Sequence, residues 1–195
     1  MLEKRIEKWG FIDATGNEVI PLIYNKAGEF SEGLAPVMKA IKSTQKWGFI
    51  DRQGNEVIPL KYNQVNTFSE GLVAVYVAKK TNTSPKGWGF IDLDGNEVIP
   101  PRYEWVGSFM DGLALAIFNN KVGMIDRDGN EVIPFKYDLL SRFKEDMALG
   151  KLKGKWGYID RDGNEAIPFI YDDPSSNFGE NMATGLALSM AGVSY

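Results

Sequence analysis

Lys46-Trp47-Gly48-Phe49-Ile50-Asp51-Arg52-Gln53-Gly54-Asn55-Glu56-Val57-Ile58-Pro59 decides the fold, because this stretch recurs through the chain. The other copies open at Trp9-Gly10-Phe11-Ile12-Asp13, Trp88-Gly89-Phe90-Ile91-Asp92, Val122-Gly123-Met124-Ile125-Asp126 and Trp156-Gly157-Tyr158-Ile159-Asp160. All five run on as x-x-Gly-Asn-Glu-(Val/Ala)-Ile-Pro-x-x-Tyr, and successive copies start 38, 41, 34 and 34 residues apart. A period of this size marks a repeat architecture, in which each unit buries its apolar face against its neighbours.

Working outward from the motif, the Trp-Gly-Phe-Ile-Asp run has the aromatic and β-branched residues of a strand. Alternation puts Trp47, Phe49 and Asp51 on one face and Gly48 and Ile50 on the other. The Asp126-Arg127-Asp128-Gly129-Asn130 type of segment is a turn, since Gly and Asn tolerate positive φ. Glu-Val-Ile-Pro is a second strand ending at Pro21, Pro59, Pro100, Pro134 and Pro168, because proline cannot donate to a ladder. An irregular stretch follows, carrying an aromatic pair such as Tyr62 and Phe68, or Tyr171 and Phe178 in the last copy. A third apolar segment then reads as another strand: Glu32-Gly33-Leu34-Ala35-Pro36-Val37 in the first copy, Glu180-Asn181-Met182-Ala183-Thr184 in the last.

The return to the next Trp-Gly is polar and long at 39–45 and 79–86, and only Asn119-Asn120 before the fourth copy, a good two-residue hairpin turn. Each unit is thus expected to be a three-stranded antiparallel meander, with units starting near Lys8, Lys46, Gly87, Lys121 and Lys155. The fold class is all-β, a tandem array over a single domain, 1–195, with no sustained helical period. An open, solenoid-like stack is the first expectation. The alternative is a closed, propeller-like ring in which 185–190 pairs with the first strand. A unit of about 34 residues is short for a four-stranded propeller blade, which typically has about 40 or more.

Composition narrows the function. The 195 residues contain no cysteine and no histidine, which excludes disulfides, thiolate chemistry, cysteine zinc sites and the commonest general base. Net charge is -4, and no basic stripe suited to nucleic acid is visible. No segment approaches the roughly 20 apolar residues of a membrane span. Met1-Leu2-Glu3-Lys4-Arg5-Ile6-Glu7-Lys8 is not a signal peptide, and the sequence leaves location open between the bacterial cytoplasm and, had a signal been removed, the periplasm or cell surface.

These repeats resemble the bacterial WG, or KWG, repeat family, whose units look like Lys-Trp-Gly-Phe-Ile-Asp-x-x-Gly-x-x-Val-Ile-Pro-x-x-Tyr. Lys46-Trp47-Gly48 and Lys155-Trp156-Gly157 carry the opening tripeptide, and the resemblance extends from about Lys8 to Leu188. It implies tandem β-repeats of mostly unassigned function and supplies no catalytic residue. The fourth copy departs from it, with Val122 and Met124 in place of Trp and an aromatic.

The recurring tryptophans could be stacking platforms for sugars or quaternary amines. Val122 argues instead for core residues, and truncating Trp47 or Trp88 to alanine would then cost about 3–5 kcal/mol. The Asp-x-Asp-Gly-Asn-Glu segments faintly resemble calcium loops but lack their third alternating ligand, and an Asp-Gly-Asn turn explains the same letters. Glu18, Glu56, Glu97, Glu131 and Glu165 recur in register, which favours a solvated stripe over a single asymmetric active site.

Letters invariant across the copies are expected in the core, and those that differ on the surface. The variable pairs after each proline are Leu22-Ile23, Leu60-Lys61, Pro101-Arg102, Phe135-Lys136 and Phe169-Ile170. Together with Trp105, an aromatic outside the motif, they give Trp105, Arg102, Phe135, Lys136, Phe169 and Lys61 as candidate binding residues. No catalytic residue, metal ligand or cofactor is expected. The reading is a non-catalytic scaffold for a protein partner. The alternative is a carbohydrate or cell-wall module using exposed aromatics, and an enzyme without His or Cys stands third.

Overall fold

The computed structural model describes residues 7–41, 44–78 and 86–173. Among them the regular elements are eighteen β-strands, so the all-β repeat array is what forms. The chain divides into two compact units, Met1–Ala116 with Asp126–Asn130, and Ile117–Ile125 with Glu131–Tyr195.

In the first unit β1 (Trp9–Ile12) pairs with β2 (Glu18–Tyr24). A four-stranded sheet follows in the order β3 (Lys26–Ala27), β4 (Ala35–Ile41), β5 (Thr44–Ile50), β6 (Glu56–Tyr62). The next sheet repeats that order with β7 (Gln64–Val65), β8 (Leu72–Val77), β9 (Gly87–Asp92) and β10 (Glu97–Tyr103). β11 (Trp105–Val106), β12 (Ala114–Phe118), β13 (Lys121–Ile125) and β14 (Glu131–Tyr137) keep it, with β13 and β14 belonging to the second unit. In the second unit β15 (Leu139–Leu140), β16 (Ala148–Leu152), β17 (Lys155–Ile159) and β18 (Glu165–Tyr171) form the last sheet. Among the described residues the strand pairings are antiparallel, and no sheet closes into a barrel. Phe178 and the segments 180–184 and 185–190 lie outside the described residues.

Each four-stranded sheet draws on two copies of the motif: β3 and β4 come from the first, β5 and β6 from the second. The strand beyond the expected meander sits in the stretch read as irregular. It forms because the residue after the motif tyrosine is tied to the third-segment strand. Asn25 donates its N–H to the Met38 carbonyl and accepts from the Ala40 N–H at its Oδ1, and Asn63 repeats both contacts with Tyr76 and Ala78.

The glycine after each tryptophan has a steric cause. β5 and β6 pair at Trp47↔Tyr62, Phe49↔Ile58 and Ile50↔Glu56, so β6 bulges twice. The bulge lays the Ile58 carbonyl over Gly48, where a Cβ would collide with that oxygen and lie 2.7 Å from the Pro59 carbonyl carbon. The Ile133 and Ile167 carbonyls would stand 2.6 Å from a Cβ at Gly123 and Gly157. The proline inside the bulge is exposed in every copy, which corrects the expectation that invariant letters mark the core. It tolerates that place because an unpaired bulge on an edge strand needs no N–H.

In the first unit the strands between two sheets are buried on both faces. Ile50 packs with Ile20, Tyr24, Ala35 and Val37, while Phe49 packs with Leu34, Ile58, Tyr62, Phe68, Val73, Val75 and Ile91. This is why the motif is apolar at successive positions instead of alternating. Phe49 meets Phe68 edge-on at 5.0 Å, and Phe11–Phe30 and Phe90–Phe109 repeat the pair at 4.9 and 4.7 Å. In the second unit Leu149, Trp156 and Tyr158 form a core joined by Met147, Ile167 and Tyr171.

The Asp-x-x-Gly-Asn segment is a hydrogen-bonded turn in all five copies. Asp51 Oδ1 accepts the N–H groups of Gln53 and Asn55 at 2.9 and 2.8 Å, and Oδ2 accepts Asn55 Nδ2 at 2.8 Å. Gly54, at φ 84°, closes the turn and rests on Ile20 of the preceding copy. Asp92, Asp126 and Asp160 repeat these bonds, and the oxygens read against calcium are occupied by the turn itself. Hydrogen bonds from Thr15 and Asn17 hold the Asp13 carboxyl down at about 2.

Two contacts staple successive copies within the first unit. Glu32 Oε2 accepts the Gly71 N–H at 2.9 Å, and Glu70 Oε2 accepts the Gly112 N–H at 3.0 Å. Ser31 Oγ donates to the Phe68 carbonyl and Ser69 Oγ to that of Phe109, both at 2.8 Å. Glu32 and Glu70 sit at φ 52° and 55°, a conformation that aims their carboxylates at the next copy.

Candidate interaction surface

The Glu-Val-Ile-Pro-x-x-Tyr strand is the outer strand of its sheet in every copy: β2, β6, β10, β14 and β18. Bulges and a proline keep such an edge from pairing with another chain, so what it offers is side chains. Its first residues, Glu18, Glu56, Glu97, Glu131 and Glu165, are all exposed, as expected of a solvated row.

The second residue after the proline is exposed in all five copies, and three of the five are cations. Lys61, Arg102 and Lys136 lie over the ring of the tyrosine that follows them, at 5.2, 5.0 and 5.2 Å. Their stems cover a buried tyrosine while the charged heads stay in water, a contact worth about 0.5–1 kcal/mol at an exposed site. Arg102 has further partners, donating to Tyr103 Oη at 2.7 Å and to the Gly129 carbonyl at 3.1 Å. Tyr137 has no such donor, and its hydroxyl is buried without a hydrogen-bond partner among the described residues.

The residue directly after the proline is half-buried in every copy but the first, where Leu22 is exposed. Phe135 is half-buried, lies against Phe118 at 5.7 Å and roofs Gly123 at 2.9 Å from a Cβ there. Phe169 packs at 5.6 Å on Tyr137 and covers Gly157 and Gly150. Trp105, the first residue of β11, is 44% exposed, while Val106 beside it is buried. The six candidates divide between the units: Lys61, Arg102 and Trp105 belong to the first, and Phe135, Lys136 and Phe169 to the second.

The motif tryptophans correct their sequence reading. Trp9 is 48% exposed, Trp47 and Trp88 are half-buried, and Trp156 alone is buried, at 9%. Each of these strands pairs its tryptophan with the motif tyrosine at the far end of the bulge, where the indole leans over the margin of the core. The fully buried position is two residues on, at Phe49, Phe90, Met124 and Tyr158. A rim position explains why Val122 is accommodated.

The same spacing of turn, bulge and third segment is what family comparison detects. A model described as WG containing repeat matches residues 9–40, 47–80, 88–121, 123–156 and 156–184. The chain belongs to the WG-repeat family. A search of curated proteins found no match. The WG letters are now physical: the glycine clears the bulge and the tryptophan covers the core edge. Two parts of the WG repeat escaped the sequence reading, the Glu-to-Gly staple and the Asn or Asp after the tyrosine. The Glu-Gly pair at 32–33 and 70–71 was the available signal for the first.

Among the described residues no group of three or more Asp or Glu is placed to hold a metal ion. No helix among the described residues is long and apolar enough to cross a membrane.

Proposed function

We propose that this WG-repeat chain is a non-catalytic scaffold whose edge-strand row engages a protein partner. The observation that carries the reading is the division of labour along each outer strand. Ile and Tyr are spent on the core and Pro on the bulge, while the residue two after the proline varies and faces solvent. Lys61 and Arg102, on successive outer strands of the first unit, with Trp105 three residues on, combine charge with an exposed aromatic. That combination suits an acidic segment carrying an apolar side chain. A sugar-binding ladder is less well supported, because Trp47, Trp88 and Trp156 give up much of their faces to packing.

The test is affinity capture with the wild-type chain and with a K61E/R102E/W105A variant, both shown to be folded at the capture temperature. Acidic proteins retained by the wild type and lost from the variant support the proposal. An unchanged set of captured proteins, or glycan-array binding abolished by W105A alone, overturns it.

A further inference from the structure

Along each outer strand of the first unit's middle copies the charge changes sign, and from one strand to the next it does not. β6 carries exposed Glu56 at its start and exposed Lys61 near its end, and β10 carries Glu97 and Arg102 in the same places. The bulges draw these ends together. Glu56 stands opposite Ile50 and Tyr62 opposite Trp47, just as Glu97 and Tyr103 stand opposite Ile91 and Trp88. From its glutamate to its tyrosine the outer strand therefore keeps pace with only about three steps of its neighbour, about 10 Å at about 3.3 Å per residue. An acidic segment lying along one strand would run from a cation onto a carboxylate. Crossing the strands at their far ends, it meets Lys61 and then Arg102.

The step between those two cations follows from the stacking. Ile58 and Tyr62 of one sheet share a core with Val73, Val75 and Ile91 of the next, so the two sheets pack face to face. The junction repeats: a Cβ at Gly95 would stand 3.2 Å from Ile58 Cγ1, and one at Gly129 3.3 Å from Ile99 Cγ1. Sheets packed this way lie about 10 Å apart. A β-strand ligand would present side chains on one face at about 7 and about 13 Å, two and four residues on. A polyproline II helix presents every third side chain on one face, about 9 Å apart, and its period is the one that matches the step. Both cations are also held in place. Lys61 and Arg102 lie over the rings of Tyr62 and Tyr103, and Arg102 is bonded to Tyr103 Oη and the Gly129 carbonyl, so less freedom is lost when a ligand binds. Three residues beyond Arg102, the exposed Trp105 offers an aromatic face of the kind on which proline-rich segments dock.

We infer that the ligand of this row is a polyproline II segment of a partner protein with a carboxylate at every third residue, Glu-Pro-Pro-Glu-Pro-Pro in its simplest form. The inference rests on the protein-binding role proposed above and adds the conformation and spacing of what is bound. Residues 1–6, 42–43, 79–85 and 174–195 of this chain contain two acids, Glu3 and Glu180, and so no pair three residues apart that could occupy the row instead.

The test is fluorescence anisotropy of a fluorescein-labelled Gly-Glu-Pro-Pro-Glu-Pro-Pro peptide titrated with the full chain at low ionic strength, where charge pairing is least screened. Replacing both glutamates by glutamine should weaken binding by about tenfold or more, and deleting one proline between them, which shortens the step to two residues, by about fivefold or more. K61A and W105A should each weaken it about tenfold. K153A, at an exposed lysine in the second unit, should leave it unchanged. The peptide changes leave the protein untouched, so they decide the matter even where a variant is destabilised. A peptide that does not bind, equal binding at the two-residue spacing, or equal binding by K61A overturns the inference. If affinity capture still retains acidic proteins through Lys61, Arg102 and Trp105 in that case, the scaffold reading stands and the polyproline II ligand alone falls.

Discussion

Gly89→Ala tests the bulge as the reason for the WG dipeptide. A methyl group at Gly89 would collide with the Ile99 carbonyl oxygen, lie 2.7 Å from the Pro101 nitrogen and 2.9 Å from the Pro100 carbonyl carbon. All three are backbone atoms, so no rotamer change relieves the clash, and β10 itself must move. The movement is resisted on both sides of the bulge, where Ile99 and Tyr103 are each 1% exposed. Overpacking a well-packed site costs typically about 1–3 kcal/mol, and an obstacle made of backbone belongs at or above the upper end, at about 3 kcal/mol. Gly112→Ala is the control. Gly112 has φ 76° and nothing within 4 Å of a Cβ, so it pays left-handed strain of about 1–2 kcal/mol, less about 0.4–1 regained from a stiffer unfolded chain. The net is about 1 kcal/mol. Urea titrations followed by tryptophan fluorescence should place G89A well below G112A, with the latter close to wild type. If G89A costs no more than G112A, the bulge is not what requires glycine.

Four further outcomes follow from the same geometry. Tyr137→Phe should be neutral or stabilising by up to about 1–3 kcal/mol, because it removes a buried hydroxyl without a partner, whereas Tyr103→Phe, which loses the Arg102 bond, should cost about 0.5–1.5 kcal/mol in the same melts. Glu70→Ala should cost about 1 kcal/mol by freeing the Gly112 N–H, and Glu70→Gln, which keeps an acceptor, should recover most of it in chemical denaturation. Hydrogen bonds from the turn hold Asp13 at about 2, and Asn-led bonds lower Asp51, Asp92 and Asp160 below the ordinary 3.8. A lowered folded value gives stability that is full above pH 3.8 and lost as pH falls through the folded value, so a D51N/D92N/D160N variant should show a flatter acid limb in melting temperature against pH. Trp156→Ala should cost about 3–5 kcal/mol and Trp105→Ala no more than about 0.5, the first by core truncation and the second at an exposed site, as measured by urea midpoints.

Much of the fold was legible because the five copies average out accident. The strands and the Asp-Gly-Asn turn follow from letters that agree in every copy. What was not legible depends on contacts between copies. The sequence puts Trp47 and Phe49 on one strand face with similar hydrophobicity, and only the twin bulges opposite decide that Phe49 is sealed while Trp47 reaches the margin. The exposed prolines misled for the same reason: invariance reported a backbone requirement, and it was read as burial. At the candidate surface, Lys61, Arg102 and Lys136 were legible as variable and polar. Phe135 and Phe169 were variable too, yet their rings roof Gly123 and Gly157, a use that appears only once the bulge is drawn.

The phase of the sheets carries this one step further. A copy of the motif, taken alone, has a Trp-Gly strand without the strand that covers it and a third segment without the strand it covers. Ile50 and Phe49, adjacent in sequence, belong to two different cores, one shared with the copy before and one with the copy after. The staples run the same way, from Glu32 to Gly71 and from Glu70 to Gly112, always from one copy to its successor. The turn and the bulged ladder hold each copy internally, while the sealed cores and the staples are made between successive copies.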